Sequence, residues 1–331
     1  MTLRGRLRNL LAGAGPALPA VEPVANEAPS SVPGEPEPAA AEPPLPSTTT
    51  TSHPNGHFYS PVVDTAELAG LEHRLWPRSP QVAGIDFNDA SHAQILRCAF
   101  PRFMPGYDYP EVLEESSQLT GFFTRNSQFS WLDARAYFVL LRHWRPRRVV
   151  EIGSGFSTLL AADVNRRFLD ERLDLTCIEP YPREFLLAGV PGVSRLLQAK
   201  VQDVDLAEFD RLESGDVLFV DSSHVAKTGS DVNFIYFEIL PRLADGVHVH
   251  IHDIHLPHEY PRDWVIAENR SWNEQYLVRA LLMDSRRYAV EFGCNYAFHR
   301  FPDLVREALG GRGFGGGSLW IRVQQDRAGA A

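Results

Sequence analysis

The chain has few of the features that mark specialised protein classes. It holds only three cysteines, Cys98, Cys177 and Cys294, widely separated and without a CxxC pair. That excludes a disulfide framework and points to a reducing, cytoplasmic compartment. No run of about 18 apolar residues occurs, so no transmembrane helix is expected. Basic residues are in the minority, with 32 Lys and Arg against 42 Asp and Glu and a formal net charge of −10. Such a balance gives no general attraction for nucleic acid or an anionic membrane surface, and neither is expected as a partner. Arg4, Arg6 and Arg8 precede a short apolar stretch, but Gly13, Gly15, Pro16 and Pro19 interrupt it. A secretory signal needs an unbroken apolar stretch of roughly 7–15 residues, so none is expected. No internal repeat is visible.

The remaining composition is that of an ordinary globular protein, 44% hydrophobic and 22% charged over 331 residues, enough for one large domain with additions. Proline is unevenly spread. Residues 1–55 hold 11 of the 25 prolines, among Ala, Glu, Ser and Thr, with too few large apolar residues for a core. They are expected to form a disordered tail or semi-stiff linker. Residues 56–146 read as an irregular and helical cap, with short amphipathic stretches at 65–75 and 90–99 before Pro101, Pro105, Gly106 and Pro110 break the pattern. The cap ends in a helix over 130–144, stopped by Pro146. Ser130 and Asp133 have the spacing of a capping box at its start.

From residue 147 to 325 the chain alternates. Strand signals lie at 148–152, 173–178, 194–201, 216–220 and 247–252, with helical signals at 158–169, 183–188, 206–212 and 231–243 between them. Alternation of this kind predicts right-handed βαβ units and a doubly wound, Rossmann-like α/β sheet. After a helix at 272–283, strands at 288–293 and 318–323 complete seven. The last two are read as joined by a non-helical connection, which makes the final strand antiparallel to its neighbours.

The stretch Arg147–Thr158, RRVVEIGSGFST, is a buried strand, a glycine turn and a helix start. In an open α/β sheet a nucleotide-like ligand sits at such a turn. Its sixth position is Thr158, so the third glycine of a GxGxxG dinucleotide turn is missing, and no Gly-Lys-Ser/Thr ending makes it a phosphate loop. With Glu151 closing the strand, the turn points to a nucleoside without phosphates.

The blocks GHFYSP, EIGSGFST, DSSHVAKTGSDVN, HIHDIHLPHEYP and WNEQY, over about residues 56–325, resemble class I S-adenosylmethionine-dependent methyltransferases. More narrowly, they resemble a bacterial subfamily similar to the catechol-type and macrolide-sugar O-methyltransferase group. The resemblance implies roles for named residues. Glu151 would orient the methionine end of the cofactor below the turn formed by Gly153, Ser154 and Gly155. Glu179 would accept the ribose hydroxyls, Gln202 and Asp203 would border the adenine, and Asp221 and Ser222 would lie beside the reacting methyl group. Solvated strand-end acids are the plain alternative for Glu151 and Glu179.

Five histidines, His248, His250, His252, His255 and His258, fall within eleven residues. Period two along a strand puts the first three on one face and Asp253 on the other. Three readings compete. Asp221, His252 and Asp253 could hold a divalent ion, as acids do at comparable strand ends in the catechol-type relatives; the histidine disfavours magnesium and favours manganese, iron or zinc. His224 or His252 could be a neutral general base. Or the histidines are structural, as expected for His248 and His250, with His255 and His258 at the surface. Asp221, His224 and His252 are thus the candidate catalytic residues.

The function read from these residues is S-adenosylmethionine-dependent methyl transfer to a hydroxyl of a small-molecule or saccharide acceptor, with room for a metal ion and for a homo-oligomer. An NAD-dependent oxidoreductase on a related sheet and a non-catalytic scaffold are the competing classes.

Overall fold

The computed structural model describes residues 52–324, so the expected tail lies outside the described residues except for its last few positions. Seven strands form one sheet: β1 Arg148–Ile152, β2 Asp174–Ile178, β3 Arg195–Leu197, β4 Val217–Val220, β5 His248–Ile251, β6 Tyr288–Gly293 and β7 Leu319–Val323. Their order is β3-β2-β1-β4-β5-β7-β6. The first five are mutually parallel, and β7 runs antiparallel to both β5 and β6. This is the expected Rossmann-like sheet with a reversed last strand. Among the described residues no helix is long and apolar enough to cross a membrane.

The strands are buried on both faces because helices cover both, as parallel sheets require. Val149, Leu175, Cys177, Val217 and Phe219 face one cluster with the helices Trp131–Trp144 and Phe156–Phe168. Val150, Ile152, Leu218, Val220, Val249 and Ile251 face the other, with the segments 231–242 and Glu274–Leu282. Leu96, Phe100 and Phe122, from the segment read as a cap, belong to the first cluster. The Trp131–Trp144 helix therefore lies between the sheet and that segment, which is why its Leu132, Ala136, Tyr137 and Leu140 are all fully buried.

Several local expectations need correction. The stretch 90–99 is a helix Asp89–Gln94, a π turn Ile95–Ala99 and a further helix Phe100–Phe103. Pro101 does not break it: it stands in the first turn of that last helix, just after the π turn. Likewise 231–243 is a helix Asp231–Phe234, a π turn Ile235–Ile239 and a 3₁₀ turn Leu240–Arg242 holding Pro241. In both places the widened turn precedes a proline that removes one helix donor. The connection from β6 to β7 is helical after all, with Cys294–Arg300 and Pro302–Ala308 before the glycine loop. The capping box fails: Ser130 Oγ donates to Asn126 O instead, and Asp133 accepts from the N–H groups of Gly317 and Ser318.

At the opposite end of these strands from the glycine turn, Asp216 fastens the start of β1 to the start of β4. Its side chain is almost fully buried and pairs with Arg148 at 2.9 Å. It also accepts from the backbone N–H groups of Arg147, Arg148 and Glu213. Asp216→Ala strands three donors and a cation. It is expected to lower the urea-unfolding free energy by about 3 kcal/mol, whereas Arg147→Ala, which removes only an exposed pair, changes it by less than about 0.5 kcal/mol. Equal effects of the two substitutions would contradict this assignment.

Candidate active site

Strand order reverses between β1 and β4, and a crevice of about 750 Å³ opens beyond their carboxyl ends, within the size range of small-molecule sites. One wall is the turn after β1. Gly153 has φ +79°, and a Cβ there would fall 1.8 Å from the Asp221 carbonyl oxygen, so no other residue fits. Gly155 differs: its backbone is extended, and a Cβ would meet nothing within 4 Å. It faces open space in the crevice. Thr158, where a third glycine is absent, uses its hydroxyl twice: it accepts from Gly155 N at 3.0 Å and donates to Glu151 at 2.8 Å.

Glu151 is fully buried on the face of β1 beneath the helix that begins at Phe156. Ser157 Oγ donates to it at 2.5 Å, alongside Thr158. Burial pushes its pKa up to about 7, against the lowering effect of those hydroxyls. It is not among the residues that line the crevice; its oxygens are taken by the two hydroxyls at the start of the helix. Glu179 does line it; one oxygen accepts from Ser154 N at 3.1 Å and the other from Tyr181 N at 2.8 Å. Ser154 lines it as well. Gln202 and Asp203 do not. They sit in a 3₁₀ turn after β3, with Gln202 Nε2 donating to Gly229 O.

The other wall gathers the strand ends of β4 and β5. Asp221, His252 and Asp253 each offer a ligand atom within 4.8 Å of the others. Asp253 was expected on the opposite face to His252. Its φ of +56° ends the strand and turns its carboxylate back to the crevice. His224, also left-handed at φ +61°, joins them. Its Nε2 is 3.3 Å from Asp221 and 3.5 Å from Asp253, while Nδ1 is 2.8 Å from Glu274. His252 Nδ1 is 3.4 Å from Asp221 and 3.6 Å from Asp253; its Nε2 faces Asp133 at 3.8 Å.

Burial opposes charge on both rings, but the surrounding carboxylates outweigh it. Asp221 and Glu274 hold the His224 pKa up to about 10, and Asp253 and Asp221 hold that of His252 well above the usual imidazole range. Burial likewise opposes charge on Asp221, yet His252 and His224 keep its pKa well below the ordinary carboxylate value. Burial raises that of Asp253. The carboxylates thus favour the protonated form of both rings.

Two acids that pattern reading placed elsewhere complete the cluster. Asp133 was taken for a cap, and Glu274 fell within the helix expected at 272–283. The first turn of the Glu274–Leu282 helix organises both neighbouring loops: Asn273 N and Glu274 N donate to His224 O, Ser222 Oγ donates to Glu274, and His255 N donates to Gln275. Trp264, Arg270 and Trp272 line the crevice and stack together, with the Arg270 guanidinium 4.4 and 4.7 Å from the two indole centroids. His248 and His250 point into the core, stacked at 3.8 Å on Trp144 and Phe219 and hydrogen-bonded to Glu291 and Ser318. His255 and His258 are not surface residues. Both are half-buried, and burial pushes the His255 pKa down to about 4.

A family model described as a methyltransferase domain matches residues 150–254, which span the glycine turn and the ends of β4 and β5. An uncharacterised protein of Archaeoglobus fulgidus is 38% identical over 164 residues, covering 48% of this chain and 73% of that protein. Among solved structures, the O-methyltransferase TomG of Streptomyces achromogenes, in complex with SAM, is similar at 17% identity, 73% coverage of this chain and 92% of its own, with a TM-score of 0.35. An O-methyltransferase of Bacillus cereus, in complex with SAH, is similar at 14% identity, 78% and 97% coverage and a TM-score of 0.36.

The buried Glu151 makes a prediction about stability. In the unfolded chain it ionises near 4.5, in the fold near 7, so the folded protein binds the extra proton between those values. Stability falls as pH rises through that window, by about 3 kcal/mol in total. Glu151→Gln removes this loss, so urea unfolding at pH 4.5 and pH 8 should show the variant gaining about 3 kcal/mol relative to the unsubstituted protein at the higher pH. A pH-independent difference would refute the raised pKa.

Proposed function

The chain belongs to the class I S-adenosylmethionine-dependent methyltransferases, and on that premise we propose that it transfers the methyl group to a hydroxyl of a small-molecule or saccharide acceptor. Residues 147–325 would form the catalytic core and 56–146 its cap. One observation carries the reading: the glycine turn, with Glu179 hydrogen-bonded across it, and the cluster of Asp221, His224, His252 and Asp253 share a single crevice.

The donor side fits a nucleoside sulfonium. Gly155 leaves a space that a Cβ would fill. Each Glu179 oxygen accepts one backbone N–H and keeps a lone pair for a ribose hydroxyl. Ser154 and Ser222 flank that path, and the carboxylate-rich end at Asp221 favours the positive sulfonium. The cofactor brings an activated methyl group, so the protein's task is to align donor and acceptor and to remove the acceptor's proton.

The acceptor side is the wall of Trp264, Arg270 and Trp272, whose indole faces suit a ring-shaped molecule. Its hydroxyl would reach Asp221 and Asp253. Asp221, His252 and Asp253 have the donor set for a divalent ion, which when bound lowers the pKa of a coordinated hydroxyl. Glu274 fixes the His224 ring from behind.

Calorimetry with S-adenosylmethionine tests the donor half. The unsubstituted protein should bind one equivalent, and Glu179→Ala should bind at least tenfold more weakly. Gly155→Val should fold, since its extended backbone accepts any residue, yet lose binding because the side chain fills the cradle. Unchanged affinity in a folded Gly155→Val protein would place the cofactor elsewhere.

A further inference from the structure

We propose that the acceptor is a hydroxylated ring carrying a carboxylate, and that Arg270, held in the corner between Trp264 and Trp272, selects it and sets its direction in the crevice. The inference rests on the methyl-transfer reading above and names its acceptor class.

The corner is built by a short closed loop. After the helix Arg262–Ile266, Ala267 N and Glu268 N both donate to Asp263 O, and Arg270 N donates to Trp264 O at 2.9 Å. That last bond fixes Arg270 against Trp264 through the backbone. Ser271 Oγ accepts from Val63 N at 3.2 Å, which ties the loop to the start of the described chain. The indoles of Trp264 and Trp272 meet at 72° with centroids 5.4 Å apart, and the guanidinium sits over both. Each indole is backed in turn, Trp264 by His255 at 5.2 Å and Trp272 by Tyr260 at 6.1 Å. An arginine held this way has already given up much of the rotamer freedom that ligand binding would cost it.

The charge on Arg270 is the odd one in its surroundings. It is the one lysine or arginine among the residues lining the crevice, against Glu179, Asp221 and Asp253. The imidazoles there already face Asp221 and Asp253. Glu268 stands 2.6 Å from Nε and from Nη2, but the two side chains are 33% and 47% exposed, and a pair so open to water contributes little. Nη1 has no hydrogen-bond partner among the described residues, so the guanidinium keeps donors for a planar, two-oxygen group. A carboxylate elsewhere in the crevice would face the three acids; at Arg270 it meets the opposite charge. Direction follows from the same asymmetry. Trp272 lies against the His224 ring at 4.4 Å, so the aromatic wall runs directly into the acid cluster. A ring resting on that wall with its carboxylate at Arg270 presents its far edge, and a hydroxyl there, to Asp221 and Asp253. Arginine–carboxylate pairing through two bonds fixes angle as well as position, which in-line methyl transfer requires.

The test uses the full chain with S-adenosylhomocysteine, which has no methyl group to transfer, and again without it. Ligand-observed magnetic resonance titrations compare two matched pairs of rings, para-hydroxybenzoate with para-hydroxybenzyl alcohol and glucuronate with glucose. At least one carboxylate should bind about tenfold more tightly than its neutral partner, and the pair that does so tells an aromatic from a saccharide acceptor. Arg270→Gln should erase that preference while S-adenosylhomocysteine affinity stays within about twofold, and Arg270→Lys, with the charge but not the fork, should restore only part of it. Near-ultraviolet circular dichroism reports whether each variant is folded. A preference that survives in folded Arg270→Gln, neutral rings that bind as tightly as the carboxylates, or no binding by either pair would overturn the proposal. So would a loss of S-adenosylhomocysteine affinity in Arg270→Gln, which would assign the arginine to the cofactor's own carboxylate. Failure of S-adenosylhomocysteine to bind the unsubstituted protein contradicts methyl transfer instead, and a carboxylate preference measured without it would still support the anion subsite at Arg270.

Discussion

The site depends on one steric contact between neighbouring strand ends. β1 and β4 run parallel and in register from Val149 opposite Val217 to Ile152 opposite Val220. The chain leaving β1 must then turn against the chain leaving β4, and it does so at Gly153, packed on the Asp221 carbonyl. That approach puts the glycine turn and the first residue of the acidic cluster on the two sides of one crevice. β5, paired to β4 on its far side, adds His252 and Asp253 at the same level. Glycine turn and acid–imidazole cluster meet because three parallel strands end together.

Building such a site consumes stability. Glu151 is buried with only hydroxyl and thiol partners, and the left-handed backbone at His224 and Asp253 costs of order 1–3 kcal/mol each. The surrounding structure absorbs these costs through two large apolar clusters and through polar side chains whose only task is to hold others. Thr158 ties the turn to Glu151, and Glu274 holds His224. The Glu274–Leu282 helix is the clearest case: its first residues fasten the His224 loop and the His255 loop at once, so a single element sets both.

All seven strands were legible in the chain because buried strands read as short apolar runs between turn residues. The glycine turn and the acids Glu151, Glu179, Asp221 and Asp253 were legible because they stand next to those runs. What escaped depends on partners distant in sequence. Asp133 looked like a helix cap, but its acceptors are used by Gly317 and Ser318, some 185 residues away. Glu274 looked like a first-turn acid; only the fold brings it against His224. Period two assigned Asp253 to the wrong face because the strand ends one residue earlier, in a left-handed turn that no periodicity signals. Pro101 was read as a break and 231–243 as one helix across Pro241, whereas a π turn stands before each proline. Glu151 and Gln202 stand where the strand pattern put them, outside the lining of the crevice.

The central claim is that the donor methyl group and the acid–imidazole centre adjoin in one crevice. Nuclear magnetic resonance of S-adenosylmethionine labelled with ¹³C at its methyl group, bound to the protein in the presence of Mn²⁺, tests it most directly. The account predicts strong paramagnetic broadening of the bound methyl signal, relieved when Asp221→Asn and Asp253→Asn are combined. A sharp methyl signal from protein carrying both cofactor and ion would contradict it.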